Sequence, residues 1–95
     1  MHPAARVRSR PDVLLCPEED EAFLFTPASG RVRLLNPTGL AVWRLIDGVR
    51  DVVAVTAAVC AEFPDAVPPA VAADVVAFLD ELVAAELAEV VVDGG

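Results

Sequence analysis

The sequence predicts an α+β domain in which a three-stranded antiparallel sheet is followed by three helices. Three short apolar runs with strand character come first, at residues 13–16, 22–26 and 31–35. Three stretches with helical spacing of apolar residues follow, and the two types of element do not alternate. Strands grouped before helices favour an α+β arrangement. The last two helices, joined by a short proline-rich turn, resemble a helix-turn-helix pair, so we expect a winged helix-turn-helix-like fold.

Turn residues separate the three predicted strands. Proline stands on either side of the first run, at positions 11 and 17, and residues 18–21 are all acidic. Residues 27–30, Pro-Ala-Ser-Gly, form the second turn, because proline and glycine supply the backbone angles that tight turns need. Connections of four or five residues are typical of hairpins, so we expect an antiparallel meander. In the third strand, the alternation of arginine with Val32 and Leu34 predicts one buried face.

The third strand and the first helix meet at Asn36-Pro37. Asn36 is placed as an N-cap, whose side-chain oxygen accepts a hydrogen bond from an unpaired backbone N–H of the first turn. Pro37 suits the first helical position because its missing N–H would have had no partner there. Apolar residues at helical spacing, including Trp43, continue to about residue 47. Gly48 is suited to end this helix in a left-handed conformation.

Two further helices follow. Asp51 is a credible N-cap for the second helix, in which valines at positions 52, 55 and 59 form one apolar stripe before Phe63. The third helix runs from about residue 69 to residue 85, with proline in its first turn. Val76 and Val83 widen its apolar face, which consists of Val71, Val75, Phe78, Leu79 and Leu82.

Ninety-five residues are enough for one domain with a single core. We assign residues 1–11 to a flexible N-terminal arm, residues 12–92 to the folded domain and residues 93–95 to a frayed C-terminus. Residues 87–92 are expected to form a short extended segment. No apolar run approaches the ~20 residues that a membrane span needs, and the first residues lack the apolar segment of a secretory signal. We therefore expect a cytoplasmic location and no membrane partner.

The net charge of −8 is unevenly distributed along the chain. Residues 1–50 carry a net charge of +1, whereas residues 51–95 carry nine acids and no base. Binding to nucleic acid depends on Lys and Arg that neutralise phosphates, so this distribution argues against a nucleic-acid partner. The acidic half either serves solubility alone or attracts a basic partner. Cys16 and Cys60 are not at metal-ligand spacing and are interpreted as buried apolar thiols.

The sequence contains no recognisable motif for catalysis or metal binding. It has one histidine, no lysine and no tyrosine, and it lacks a glycine-rich phosphate loop and a paired-cysteine motif. The consecutive acids at residues 18–21 are typical of a solvated charge run rather than of a metal site. We therefore predict that the protein is not an enzyme and that it has no catalytic residue, metal or cofactor.

The remaining candidate for function is a binding surface beside the third strand. As the last strand of the meander, it presents an edge whose N–H and C=O groups accept another extended chain unless something covers them. The surplus apolar residues of the third helix would line the bottom of a groove next to that edge. The alternative is that a helix covers the edge and that these residues belong to the core. The residues alone leave both alternatives open.

The region from residue 31 to residue 48 resembles the PqqD-like peptide chaperones, also called RiPP recognition elements. The shared pattern is a strand ending in Leu-Asn, a helix with tryptophan among aliphatic residues, and then Asp-Gly. The resemblance covers about residues 11–90. The segments that carry it are Leu35-Asn36-Pro37-Thr38, Val42-Trp43-Arg44-Leu45-Ile46, Asp47-Gly48, the second helix from Val52 to Glu62, Asp74-Val75 and Phe78-Leu79-Asp80-Glu81-Leu82.

The resemblance implies a winged-helix-like domain with a non-catalytic function. Such a domain binds the leader segment of a ribosomally synthesised precursor peptide and presents it to a modifying enzyme, of the radical-SAM or leader-peptidase type. In the family, the leader adds as a strand along the third strand and against the third helix. Carried over by position, the peptide-binding residues are Arg31, Val32, Arg33, Leu34 and Leu35 of the strand and Asp74, Val75, Phe78, Leu79 and Leu82 of the helix.

Some of these residues are sharper candidates than others. On the helix, Asp74 and Phe78 are the preferred candidates, because the other three residues carried over are also candidates for the core. On the strand, Arg33 would pair with an acidic leader residue. One departure from the family concerns the end of the third helix, where Glu86-Leu87 stands in place of the usual Gly-Leu. Without the glycine, the helix either runs on or ends in a strained residue.

Two other functions remain open. A winged-helix DNA-binding regulator has the same helix pair, but a recognition helix needs outward-pointing Arg, Lys, Asn or Gln, which the third helix lacks. An interaction module would use the same groove to dock a partner enzyme without a peptide ligand. The sequence is compatible with a monomer or a dimer, because strand exchange also satisfies an unpaired edge.

Overall fold

The computed structural model describes residues 1–19 and 21–92, in which six strands and three helices are formed. The predicted α+β class is confirmed. Residues 93–95, for which a frayed end is predicted, lie outside the described residues. In chain order the elements are β1 (Arg6–Ser9), β2 (Leu14–Pro17), β3 (Ala22–Thr26), β4 (Arg31–Leu35), α1 (Pro37–Leu45), β5 (Asp47–Asp51), α2 (Val52–Glu62), α3 (Pro68–Ala84) and β6 (Ala88–Val90).

The predicted antiparallel meander is formed by β2, β3 and β4. In its register, Leu15 lies opposite Leu24, and Leu24 lies opposite Arg33. β3 is the central strand, so β2 and β4 are the two edges. Within the described residues, no strand pairs with the outer edge of β4.

A second antiparallel sheet, in the order β5–β1–β6, was not predicted, although β6 lies within residues 87–92, which were expected to be extended. Its central strand lies within residues 1–11, for which a flexible arm was expected. Instead, Val7 is only 2% exposed and lies opposite Val90, and Arg8 Nε lies 2.7 Å from Glu89 Oε1. The expectation was wrong because the alternation of arginines at residues 6–10 is too short to distinguish a strand from a solvated arm, and the partners of β1 are distant in sequence.

The start of α1 follows the prediction, whereas its end does not. Asn36 Oδ1 accepts a hydrogen bond from the Gly39 N–H at 2.7 Å, and Pro37 occupies the first turn. The helix ends at Leu45, and Gly48, with φ +80°, lies inside β5 rather than at the helix terminus. The earlier end reflects the Asp47 carboxylate, which accepts hydrogen bonds from two backbone N–H groups and turns the chain directly into β5.

The predicted N-cap of α2 is confirmed, because the Asp51 carboxylate accepts a hydrogen bond from the Ala54 N–H at 2.8 Å. The valines at positions 52, 55 and 59 are all buried, as their spacing predicts. The α2 helix ends at Glu62, one residue before Phe63.

The C-terminus of α3 adopts a conformation in which glycine is the usual residue. Glu86 has φ +61°, its N–H bonds to the Val83 carbonyl at 3.1 Å, and the Leu87 N–H bonds to the Leu82 carbonyl at 2.9 Å. These two bonds define a Schellman motif with Glu86 in the left-handed position. Of the two outcomes expected without a glycine, the strained residue is therefore the correct one.

The core lies between the inner face of the β2–β3–β4 sheet and the helices. Trp43 is 8% exposed and belongs to this core. Cys60 is half-buried against it and Cys16 is half-buried outside it, so the prediction of two buried thiols is only partly correct. None of the helices in the described ranges combines the length and apolar content that a bilayer crossing requires. The largest fully buried side chains are Leu24, Leu35, Leu79, Leu82, Val42, Val55, Val59 and Val75.

The outer face of the β2–β3–β4 sheet is also apolar, with Leu14, Val32 and Leu34 exposed and the other residues half-buried. It consists of six residues in two rows across the strands: Leu14, Phe25 and Val32, and Cys16, Phe23 and Leu34. None of the six belongs to the core or packs against it among the described residues. Val32 and Leu34 are each 62% exposed, so the apolar side of β4 faces outward, whereas Arg33 and Leu35 face the helices. The alternation predicted a strand correctly but did not reveal which of its faces is covered.

Candidate functional site

The open edge of β4 and the flank of α3 form the two walls of a groove. The walls are joined at one point, where Arg33 Nη2 of β4 lies 2.7 Å from Glu81 Oε2 of α3. The guanidinium carbon of Arg33 also lies 5.6 Å from the ring centroid of Phe78, within the range of a cation–π contact. We call this ion pair the Arg33–Glu81 bridge.

On one side of the bridge, the groove opens into a cavity of about 350 Å³, which we call the large cavity. It extends from the end of β4 to the first turn of α1 and to the middle of α3. Its wall includes backbone and side chains of both signs of charge as well as apolar surface. The lining residues are Arg33, Leu34, Leu35, Asn36, Thr38, Gly39, Val42, Asp74, Val75 and Phe78.

On the other side of the bridge lies a smaller cavity of about 130 Å³, which we call the small cavity. It is formed by the beginning of β4 and by the chain that leaves α3. Because Arg33 lines both cavities, the Arg33–Glu81 bridge separates them. The residues around the small cavity are Arg31, Val32, Arg33, Ala85 and Leu87.

The structure brings eight of the ten residues carried over from the family pattern to this groove. Six line the large cavity, and Arg31 and Val32 line the small cavity. The other two, Leu79 and Leu82, are completely buried and line neither cavity, so their role is in the core. That the eight bind a peptide stays a prediction.

The first turn of α1 also contributes to the groove, which was not predicted from the sequence. Gly39 lies there, and a Cβ atom built on it would lie 3.3 Å from Cζ of Phe78. The absence of a side chain therefore makes room for the aromatic ring beside the large cavity. A signal was present, because a glycine near the start of a helix is unfavourable unless close packing requires it.

The charges of the groove are divided between its walls. Arg31 and Arg33 project from β4, whereas Asp74 and Glu81 belong to α3. The side chains of the Arg33–Glu81 bridge are 40% and 57% exposed, so water screens their attraction and the pair contributes only about 0–1 kcal/mol to stability.

The groove is suited to non-covalent binding of an extended chain. It offers main-chain groups along an open strand edge, two cavities for side chains, and opposite charges on facing walls. In residues 1–19 and 21–92, no group of three His, Cys, Asp or Glu side chains is placed to hold a metal ion.

These features define a small α+β domain with an open strand edge beside a long helix. Residues 21–88 match the family of the coenzyme PQQ synthesis protein D (PqqD), and the chain belongs to this PqqD family. Among solved structures, TbiB1 in complex with the TbiA(beta) leader peptide resembles the protein with a TM-score of 0.75 and 27% sequence identity. The match covers 90% of this chain and 99% of that chain. No protein of curated function matches the sequence.

Proposed function

We propose that this protein binds the leader segment of a ribosomally synthesised precursor peptide and presents it to a modifying enzyme. The observation that carries the proposal is the open edge of β4, which lies beside two cavities and faces α3. Membership of the PqqD family supports it. Further support comes from the similar protein TbiB1, whose solved complex contains a leader peptide.

The leader would bind as a fourth strand of the β2–β3–β4 sheet. Backbone hydrogen bonds along the β4 edge would provide affinity for any extended chain, and alternate side chains would provide selectivity. Those that point toward α3 would enter the groove between β4 and α3. Burial of an apolar leader side chain in such a cavity contributes roughly 1.5–3 kcal/mol, so one or two of them would dominate the binding energy.

The modifying enzyme would act on the part of the precursor outside the groove. An enzyme of the radical-SAM type or a leader peptidase would fit this role. The contribution of this protein would be to hold the precursor in one position, which raises the effective concentration of its modified segment at the enzyme.

The proposal is tested by titrating ¹⁵N-labelled protein with the leader of the precursor encoded beside its gene. We expect shifts of the backbone amide signals of residues 31–35 and of α3 residues around Phe78. A leader in which proline replaces a residue in the middle of the bound strand is the matched control, because proline removes a donor from the pairing. Saturable binding that leaves these signals unchanged would place the leader elsewhere, and the absence of binding would refute the proposal.

A further inference from the structure

The Arg33–Glu81 bridge divides the groove into two cavities, so an extended chain that lies in the groove must pass over the bridge. Arg33 is held from two sides, by the Glu81 carboxylate at 2.7 Å and by the face of the Phe78 ring at 5.6 Å. Phe78 in turn lies close to Gly39, where a Cβ atom would be 3.3 Å from Cζ of the ring. Displacing Arg33 would therefore break two contacts at once, which favours an intact bridge when the groove is occupied.

The register of an added strand relates leader positions to the two cavities. Arg31, Arg33 and Leu35 are alternate residues of β4, and their side chains lie on the side of the sheet that faces α3. In a paired strand, directly opposite side chains point to the same face, and alternate residues are separated by roughly 6.6 Å. A leader residue opposite Arg33 would thus point at the bridge, whereas those opposite Leu35 and Arg31 would point toward the large and small cavities.

We infer that the Arg33–Glu81 bridge is a specificity-determining element that selects leaders by side-chain size. This inference rests on the proposed function. The selected leader carries a small residue, such as Gly, Ala or Ser, at the position that faces the bridge. The leader residue opposite Leu35 carries a bulky side chain, which enters the large cavity of about 350 Å³. The leader residue opposite Arg31 carries a smaller apolar side chain, which enters the small cavity of about 130 Å³.

The charge of the bridge supports selection by size rather than by charge. Arg33 and Glu81 neutralise each other where the leader passes. An acidic leader residue would be attracted by Arg33 and repelled by Glu81. A basic leader residue would be repelled by Arg33 and attracted by Glu81. Neither sign gains a clear advantage while the bridge is intact, so the space that remains above it becomes the main restriction.

A display library of short randomised peptides tests this inference without knowledge of the natural leader. It is selected in parallel on the wild type, on the double variant R33A/E81A and on R8A/E89A. We expect the two cavities to merge in R33A/E81A, because Arg33 lines both of them. R8A/E89A is a matched control, because Arg8 and Glu89 form an ion pair of the same 2.7 Å length in the other sheet. Trp43 fluorescence confirms that each variant is folded.

We expect the wild type and R8A/E89A to enrich peptides in which a small middle residue is flanked, two positions away on each side, by a larger residue. R33A/E81A should also accept a bulky residue at the middle position. In a selected peptide, a middle Phe should weaken binding to the wild type by roughly three- to thirtyfold, with a much smaller effect on R33A/E81A. Equal losses in both proteins, or enrichment of acids at the middle position, would overturn the inference while leaving the proposed function intact. Failure of the wild type to select any peptide would refute the proposed function itself.

Discussion

Gly39 of α1 and Phe78 of α3 are in close apposition beside the large cavity, where a Cβ atom on the glycine would lie 3.3 Å from Cζ of the ring. The same Cβ would lie 3.2 Å from Oδ1 of Asn36, the atom that caps α1. The missing side chain thus sets both the position of the aromatic ring and the width of the large cavity.

Replacing Gly39 by alanine should therefore alter binding more than stability. Alanine favours a helix by up to about 1 kcal/mol over glycine, and this gain is offset by the close contacts with Phe78 and Asn36. We expect the free energy of unfolding, measured with urea, to change by less than about 1 kcal/mol. Leader affinity should fall, because the displaced ring enters the cavity.

A double-mutant cycle tests whether Phe78 is the neighbour that offsets the stabilising effect of alanine at position 39. In the background of Phe78→Ala, the ring is absent, and Gly39→Ala should become more favourable to stability by about 0.5–1 kcal/mol than it is in the wild type. If the effect of Gly39→Ala is the same in both backgrounds, Phe78 is not the neighbour that constrains this position.

A second prediction concerns the left-handed residue after α3. Glycine adopts the φ of +61° found at Glu86 without the clash that a Cβ atom introduces. We expect Glu86→Gly to raise the free energy of unfolding by about 0.5–1 kcal/mol after allowing for the greater freedom of glycine in the unfolded chain. Thermal unfolding should show an increase in Tm of a few degrees, as a domain of this size shifts by about 4–8 °C per kcal/mol.

The matched variant at this position is Glu86→Ala, which removes the same charge and keeps the Cβ atom. It should not reproduce the gain. A Tm increase of equal size in both variants would assign the effect to the lost carboxylate rather than to the backbone.

A third prediction concerns the contribution of Asp47 to stability at low pH. The backbone N–H groups of Arg50 and Val49 donate to the Asp47 carboxylate and hold its pKa below the ordinary value of 3.8. A pKa that is lower in the folded state means that the contribution of Asp47 to stability is present above pH 3.8 and is lost as the pH falls through the folded pKa.

The variant Asp47→Asn keeps a carbonyl acceptor but lacks this titration. In urea unfolding followed by Trp43 fluorescence, the advantage of the wild type over Asp47→Asn should be largest near neutral pH and should shrink under acid conditions. Asp65→Asn, at an exposed acid in the turn between α2 and α3, serves as the control. An advantage for Asp47 that does not change with pH would contradict the assignment.

A fourth prediction separates the two faces of the β2–β3–β4 sheet. Leu14 on the outer face is 50% exposed, whereas Leu24 on the inner face is completely buried. Leu14→Ala should change the free energy of unfolding by no more than about 0.5 kcal/mol, whereas Leu24→Ala should lower it by about 2–5 kcal/mol. Comparable losses at the two positions in urea unfolding would show that the outer face is covered in solution.

The features that the sequence predicted correctly are governed by neighbouring residues. Asn36 and Asp51 each cap a helix through a backbone N–H three positions away, so the few residues around each cap contain the necessary information. The strands of the meander are likewise separated by short turns with proline or glycine. Local signals of this kind defined the fold class and most of the helix boundaries.

The features that were missed depend on residues distant in sequence. β1 is short, and its partners β5 and β6 lie far along the chain, so its neighbouring residues do not indicate the pairing. The extended segment predicted at residues 87–92 contains β6, but its pairing with β1 was not predicted. The orientation of β4 depends on the burial of Leu35 in the core, which places Arg33 on the same side, next to Glu81 and Phe78. The candidate site was therefore predicted as a strand and a helix, whereas its bridge and its two cavities became apparent only from their packing.

The pairing of Val7 with Val90 also has a consequence for the order in which the protein folds during synthesis. The meander and α1 are complete once residue 45 has been translated, but β1 has no β6 partner until Ala88–Val90 has left the ribosome. Contacts between distant residues form slowly, since the intervening chain must first be ordered. Because β6 directly follows α3, its pairing with β1 secures the helical wall of the groove after the meander has formed, so we expect the nascent chain to complete its groove only once β6 has emerged.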